Sequence, residues 1–366
     1  MPWIRRTFAI MLLQAAVISA VVGLSATAGR PTLAQDQSST FTRLDGANIY
    51  FAESNREATA FDRTNRGLSR FAGLLYALGA NINVLDWRKD IPADADLVVI
   101  NAPTRDIDDA QSARLWAYLN RGGSLLLLVD PLTVREDQGV ITIEMNDRTL
   151  RSDRGLFVLT WSGYGVRARD DVIVAETGDG GLSRDFTTVD VNSRHPILRN
   201  VTGPLAFFGA RSIEVDSSIQ PYSAQPLVYT GSQYYGETTY VDYLQLNIEL
   251  YNPGIDTPRG RLPVIAASEN RTTGARVVVI GDGGFATNGE GFLSAPSNTA
   301  GFVFPANVQL MMNAVAWLVN ADDTQTETFE FPTPGPTATP TPVVTLTPTP
   351  EVITTPEVES ADETTG

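Results

Sequence analysis

The stretch Asp96-Leu97-Val98-Val99-Ile100-Asn101-Ala102-Pro103, followed after a helical segment by Gly122-Gly123-Ser124-Leu125-Leu126-Leu127-Leu128-Val129-Asp130-Pro131, decides the fold. Each apolar run is apolar at successive positions instead of alternate ones, so both faces of each strand must be covered. Between the runs, Asp106, Asp108 and Asp109 put negative charge at the first turn of a helix that continues through Trp116 and Leu119. Gly122-Gly123 supplies the left-handed position at which such a helix ends. A strand, helix, strand unit of this kind predicts an α/β class with a doubly wound, mostly parallel sheet.

The alternation continues on both sides. Ala47–Ala52, Ile82–Leu85 and Leu97–Ile100 read as strands, and Leu68, Phe71, Ala72, Leu75 and Leu78 recur at helical spacing before Gly79. Downstream, Leu156–Trp161 reads as a helix and Asp171–Ala175, Pro204–Val215 and Pro226–Thr230 as strands. Residues 231–262, with Tyr234, Tyr235, Tyr240, Tyr243 and Tyr251 among polar neighbours, read as an insertion. Pro263–Ala267 and Arg276–Ile280 flank the turn Asn270–Gly274 as a hairpin, and Ala306–Val319 is a closing helix apolar nearly all round. The α/β body is thereby expected over 44–322.

Both ends differ from this body. Residues 1–34 carry Arg5 and Arg6 ahead of the apolar run Thr7–Leu24, then the small-residue sites Ala26-Thr27-Ala28 and Thr32-Leu33-Ala34. This is the layout of a cleaved signal peptide, with an uncleaved membrane anchor as the alternative. Either one expects an extracytoplasmic body, secreted or anchored by its N-terminal segment. Residues 323–366 become Thr/Pro-rich and acidic, a composition expected to stay extended and disordered as a spacer.

Charge and composition exclude whole classes of function. Of 366 residues, 42 are acidic and 27 basic, for a net charge of -15. That surface excludes nucleic acid, which requires a basic footprint. The absence of cysteine removes disulfides, thiolate nucleophiles and sulfur-ligated metals, and a lone histidine, His195, rules out any site that needs two. His195 stands before Pro196 at a turn, where a structural role is expected. Neither Gly-Asp-Gly-Gly segment (178–181, 281–284) is followed by the Lys-Ser/Thr of a phosphate loop, and Gly-x-Ser-x-Gly does not occur. No cofactor and no metal site is expected.

One geometric regularity remains. The strands end on Glu53, Asp86, Asn101, Asp130 and Asp282, and the carboxyl ends of the strands form the ligand-binding edge of open α/β sheets. These five are the candidate ligand-binding residues, chemically suited to a polyol, sugar or hard cation. Ordinary turn chemistry at Asp130-Pro131 and Asp282-Gly283-Gly284 is the competing explanation.

Several stretches, taken in order, resemble a known family. They are Asp96–Pro103, then Tyr118-Leu119-Asn120-Arg121-Gly122-Gly123 leading into Leu125–Pro131, and Gly163-Tyr164-Gly165-Val166 with Asp171-Val172-Ile173-Val174. His195-Pro196-Ile197 follows with Phe207–Ser212, then Arg276–Asp282 with Phe285-Ala286-Thr287-Asn288, and Asn307 with Asn313–Leu318. Together they are similar to the auxiliary domain of GldG-like ABC-type transport systems. That resemblance implies a class I glutamine amidotransferase-like α/β fold, shared with trehalose-utilisation-like relatives. The amidotransferase activity needs a Cys nucleophile that this chain lacks. The expected function is therefore a non-catalytic, exported binding or accessory module, with envelope glycan or an envelope protein complex such as ABC transporter subunits as partner. A carboxylate-dependent glycoside hydrolase working at the strand edge is the alternative.

Overall fold

The computed structural model describes residues 38–137, 140–145, 150–246, 251–296 and 301–330. Its centre is a seven-stranded mixed sheet. The strands are β1 (Asn48–Ala52), β2 (Asn81–Leu85), β3 (Leu97–Asn101), β4 (Ser124–Leu128), β5 (Gln225–Tyr229), β6 (Pro263–Glu269) and β7 (Arg276–Ile280), in the spatial order β5-β6-β7-β4-β3-β1-β2. From β7 to β2 all neighbours run parallel, whereas β6 pairs antiparallel with both β5 and β7. The hairpin read between Pro263 and Ile280 accounts for the antiparallel β6–β7 pair.

Every residue of β3 and β4 is buried, for the reason their composition indicates. Leu97, Val99, Leu126, Leu128, Val278 and Ile280 face one core with Phe71 and Leu75 of α1 (Ser69–Ala77) and Leu310, Met311 and Val315 of α5 (Pro305–Leu318). Val98, Ile100, Leu125, Leu127, Val277 and Val279 face a second core with Leu115 and Leu119 of α2 (Asp109–Asn120) and Leu156 and Phe157 of α3 (Gly155–Tyr164). Each such side chain is worth about 1.5–3 kcal/mol of transfer free energy, so the two cores hold these strands in the sheet from both faces.

Local chemistry sets the ends. Asp108 accepts from the Gln111 amide at 2.7 Å while the Gln111 side chain accepts from the Asp108 amide at 2.9 Å, a reciprocal cap at the start of α2. After α2 the chain passes through Gly122 at φ +96°. A β-carbon on the next residue, Gly123, would collide with the Tyr118 ring, whose hydroxyl bonds both backbone groups of Ser124. The α2-to-β4 turn is therefore built around glycine.

The second half is assembled from small ladders. Val172–Glu176 lies between Leu182–Ser183 and Tyr235–Glu237, Asp185–Thr188 pairs with Leu205–Phe208, Val166–Ala168 with Ile213–Val215, and Leu132–Asp137 with Val140–Met145. The single strand expected over Pro204–Val215 is two, because the chain turns through Gly209 at φ +89°. The 231–262 segment carries a strand, Tyr235–Glu237, and the helix α4 (Tyr240–Leu246).

Both expected boundaries of the body move outward. Ser38–Thr42 pairs antiparallel with Thr326–Glu330, and the Phe41 and Phe329 rings meet with centroids 5.9 Å apart. The Thr/Pro tail drawn from residue 323 therefore begins with a paired strand, since a β ladder satisfies backbone groups even where few side chains are apolar. The signal or anchor segment 1–34 and the tail beyond 330 lie outside the described residues. Among the described residues, no helix is long and apolar enough to cross a membrane.

Candidate functional site

Three of the five strand-end candidates converge on one dipeptide, Gly283-Gly284, directly after β7. Asp130, at the end of β4, accepts from the Gly283 amide through Oδ1 at 2.5 Å. Asn101, the last residue of β3, donates through Nδ2 to the Gly283 carbonyl at 3.3 Å. Asp282 precedes the pair, is fully buried, and accepts from the Phe208 amide through Oδ2 at 2.7 Å. Two oxygens in this group, Asp282 Oδ1 and Asn101 Oδ1, are buried without a hydrogen-bond partner.

The other two candidates stand apart. Asp86 ends the edge strand β2 and holds Arg88 at 2.8 Å, and that guanidinium keeps its carboxyl below the usual range. It works as a turn residue, since Arg88 is only two positions on. Glu53 follows β1 and sits beside Glu57, whose own carboxyl accepts from the Asn55 amide at 2.5 Å and is raised chiefly by burial.

A fourth residue belongs to the group and escaped the strand-end rule. Glu290 lies eight residues beyond Asp282, and a β-carbon at Gly284 would overlap its Oε2 while standing 3.0 Å from Asp282 Oδ1. The only sequence signal for it is the glycine pair, which leaves space for a returning side chain.

The electrostatics follow from burial and like charge. Burial pushes Asp130 up to about 6 against the pull of the Gly283 and Gly284 amides and of Arg184 and Arg211. Burial, then Asp130 and Asp185, pushes Glu290 up to about 7, with Arg184 and Arg66 opposing. Asp282 is raised well above the carboxylate range by burial first, then by Asp130 and Glu290. Among the described residues, no group of three or more Asp, Glu, His or Cys is arranged to hold a metal ion.

Other polar groups have structural work. Arg211 is fully buried, pairs with Asp170 at 2.6 Å, bonds the Leu150 carbonyl at 3.3 Å, and lies over the Phe157 ring. His195 accepts from the Ile197 amide at 3.3 Å and meets Trp317 edge-on, and burial lowers it to about 4. His195 lines a cleft of about 260 Å³ with Glu269 and Trp317. A second cleft of about 410 Å³ is lined by Asp96, Tyr118, Arg121, Ser124, Glu269 and Arg276 among others. Both open at the amino ends of the parallel strands, opposite the carboxylates. Two lining arginines are already engaged, Arg121 with the Ile91 and Pro92 carbonyls and Arg276 with Glu269 and the Trp317 carbonyl.

Residues 47–314 match a family described as an ABC-type uncharacterized transport system. The chain belongs to that family. The match runs from β1 into α5, so it takes in all seven strands of the sheet and the whole carboxylate group. Among solved structures, the mmIFT52 N-terminal domain is 17% identical with a TM-score of 0.48, covering 75% of this chain and 99% of its own. A ThuA-like protein from Bacteroides uniformis is 13% identical with a TM-score of 0.38, covering 81% and 98%. One from Parabacteroides merdae is 9% identical with a TM-score of 0.37, covering 76% and 92%. No curated protein matches the chain.

Proposed function

We propose that this family member is a non-catalytic, exported accessory module that works with the membrane subunits of an ABC-type transport system on a doubly wound α/β scaffold. The observation that carries the reading is the family match over 47–314. The side chains agree with it. There is no cysteine to act as an amidotransferase nucleophile, and the sole histidine is buried, low in pKa and on the opposite sheet edge from Asp130 and Asp282. Asp130 and Asp282 spend oxygens on the backbone amides of Gly283 and Phe208, which makes them chain clamps. Arg5, Arg6 and the apolar run Thr7–Leu24 support export and a place at the envelope.

The test is a crosslinked pull-down of the full chain from its native envelope, analysed for protein and sugar. Recovery of an ABC-type ATPase or permease in stoichiometric amount is the expected result. Recovery of envelope glycan with no such subunit would replace the transport reading with a glycan-binding one.

A hydrolase reading has one observation in its favour, the raised Glu290 and Asp130 carboxyls, since a general acid needs a pKa near the working pH. It requires cleavage of a glycan that Glu290→Gln abolishes. A screen of envelope glycans without turnover removes it.

A further inference from the structure

Three carboxyl groups crowd one glycine pair. Asp130 Oδ2 would stand 2.8 Å from a β-carbon at Gly283, and Asp282 Oδ1 and Glu290 Oε2 both approach the β-carbon position of Gly284. Asp282 Oδ1 and Asn101 Oδ1 are buried acceptors with no donor. The charged groups facing this cluster are Arg184 just before the strand Asp185–Thr188, Asp185 at its start, Arg66 from the loop before α1, and Arg211. Arg211 is already bound to Asp170, and Arg184 lies 3.8 Å from Asp185. Two of these three arginines therefore also serve acids outside the group.

Asp282 is fully buried and Asp130 and Glu290 are half-buried, so ionising all three is opposed by desolvation and mutual repulsion, and a proton on one of them relieves both. A protonated carboxyl is also a donor, which is what a buried pair of unpartnered acceptor oxygens lacks. The segment Gly281–Gly291 that these acids hold is itself a support. Asn288 accepts from the Arg70 amide at 3.0 Å and donates to the Asp62 and Thr64 carbonyls at 3.0 and 2.8 Å, tying the segment to the start of α1.

We infer that Asp130, Asp282 and Glu290 form a proton-operated latch that holds Gly281–Gly291 on the carboxyl edge of the sheet, closed when protonated and loosened when ionised. The inference stands whether or not the transport reading does. Its sign follows from linkage. The closed form binds protons more tightly than the open one, so closure is favoured at low pH and lost as pH rises. With Glu290 at about 7 when closed and at its ordinary 4.5 when open, the opening equilibrium rises roughly 25-fold between pH 5.5 and 8 from this residue alone.

Hydrogen exchange of the full chain, corrected for intrinsic rates, tests it on peptides covering 281–293 and 62–70. The expected result is a local opening equilibrium that rises by that order between pH 5.5 and 8, with the rise much reduced in Glu290→Gln and in Asp282→Asn. Two results overturn the latch. One is wild-type opening that is equal at both pH values, or that keeps its full pH dependence in Glu290→Gln. The other is closure at pH 8 restored by millimolar Mg²⁺ or Ca²⁺, which would make the cluster a cation site.

Discussion

Asn307 offers the sharpest test of how the second half of the chain is held to the sheet. It sits in the first turn of α5, fully buried, and its side chain behaves as a detached piece of β-strand. Oδ1 accepts from the Ala206 amide at 2.9 Å and Nδ2 donates to the Ala206 carbonyl at 2.8 Å. Ala206 belongs to the strand Leu205–Phe208, whose one flank pairs with Asp185–Thr188, so the carboxamide completes the other flank at this residue. Asn307→Leu keeps the branched heavy-atom shape, though with bulkier methyl groups, and removes both bonds, leaving a backbone donor and acceptor buried and unpaired. At about 1–3 kcal/mol for each orphaned group, the variant should lose about 2–6 kcal/mol. Urea denaturation at pH 7 measures this as a drop in midpoint with an unchanged slope. Asn307→Asp adds a directional check. Its carboxylate keeps the acceptor but turns a negative oxygen towards the Ala206 carbonyl, so it should be unstable at pH 7 and recover towards pH 4 as protonation restores a donor. Loss below about 0.5 kcal/mol in the leucine variant, or an aspartate variant indifferent to pH, would refute the strand-mimic argument.

Two further outcomes follow from buried charge. Arg211→Met removes a fully buried guanidinium, leaves the Leu150 carbonyl without that donor and leaves half-buried Asp170 to Ser152 alone, and should cost about 1–3 kcal/mol in chemical denaturation; Arg211→Lys should rescue only part of it, since lysine lacks the planar fork that serves both partners. His195 is lowered from 6.5 to about 4, so the unfolded chain binds the extra proton first and stability is lost as pH falls through that window. The loss reaches about 3 kcal/mol, and denaturation curves for His195→Gln should lack this acid limb while keeping the alkaline one set by the carboxyl cluster.

The legible parts of the chain are those where one physical demand governs several neighbouring residues. Leu125 to Leu128 had to be a strand covered on both faces, because no half-exposed element tolerates four leucines in a row, and β4 is buried at all five positions. Asp106, Asp108 and Asp109 announce the start of α2 by charge, and the structure adds a reciprocal cap between Asp108 and Gln111 there, a local contract between side chains and nearby amides. Ser38–Thr42 and Thr326–Glu330 carried no such local statement. Each holds a single phenylalanine among polar residues, and they find one another across nearly the whole chain. Tyr235–Glu237 is similar: three residues whose strand character exists only in the pairing with Val172–Glu176.

The carboxylate group divides along the same line. Asn101, Asp130 and Asp282 were legible because strand ends gather at one edge by topology, whatever the loops do. Asp86 fails that rule because β2 is the edge strand and its neighbour Arg88 takes the carboxylate first. Glu290 belongs to the group through absence: two glycines after β7 present no β-carbons, and three acids occupy the space those carbons would fill. A substitution there separates the two explanations of the strand-end acids. Gly284→Ala displaces Glu290 and Asp282 without altering any titratable group. If the acids merely start a turn, such a change costs stability equally at every pH. If they act as one protonating unit, the same change lowers the pKa values by spreading the charges, and its cost shrinks as pH rises from 5.5 to 8. Denaturation of this one variant at the two pH values decides between them.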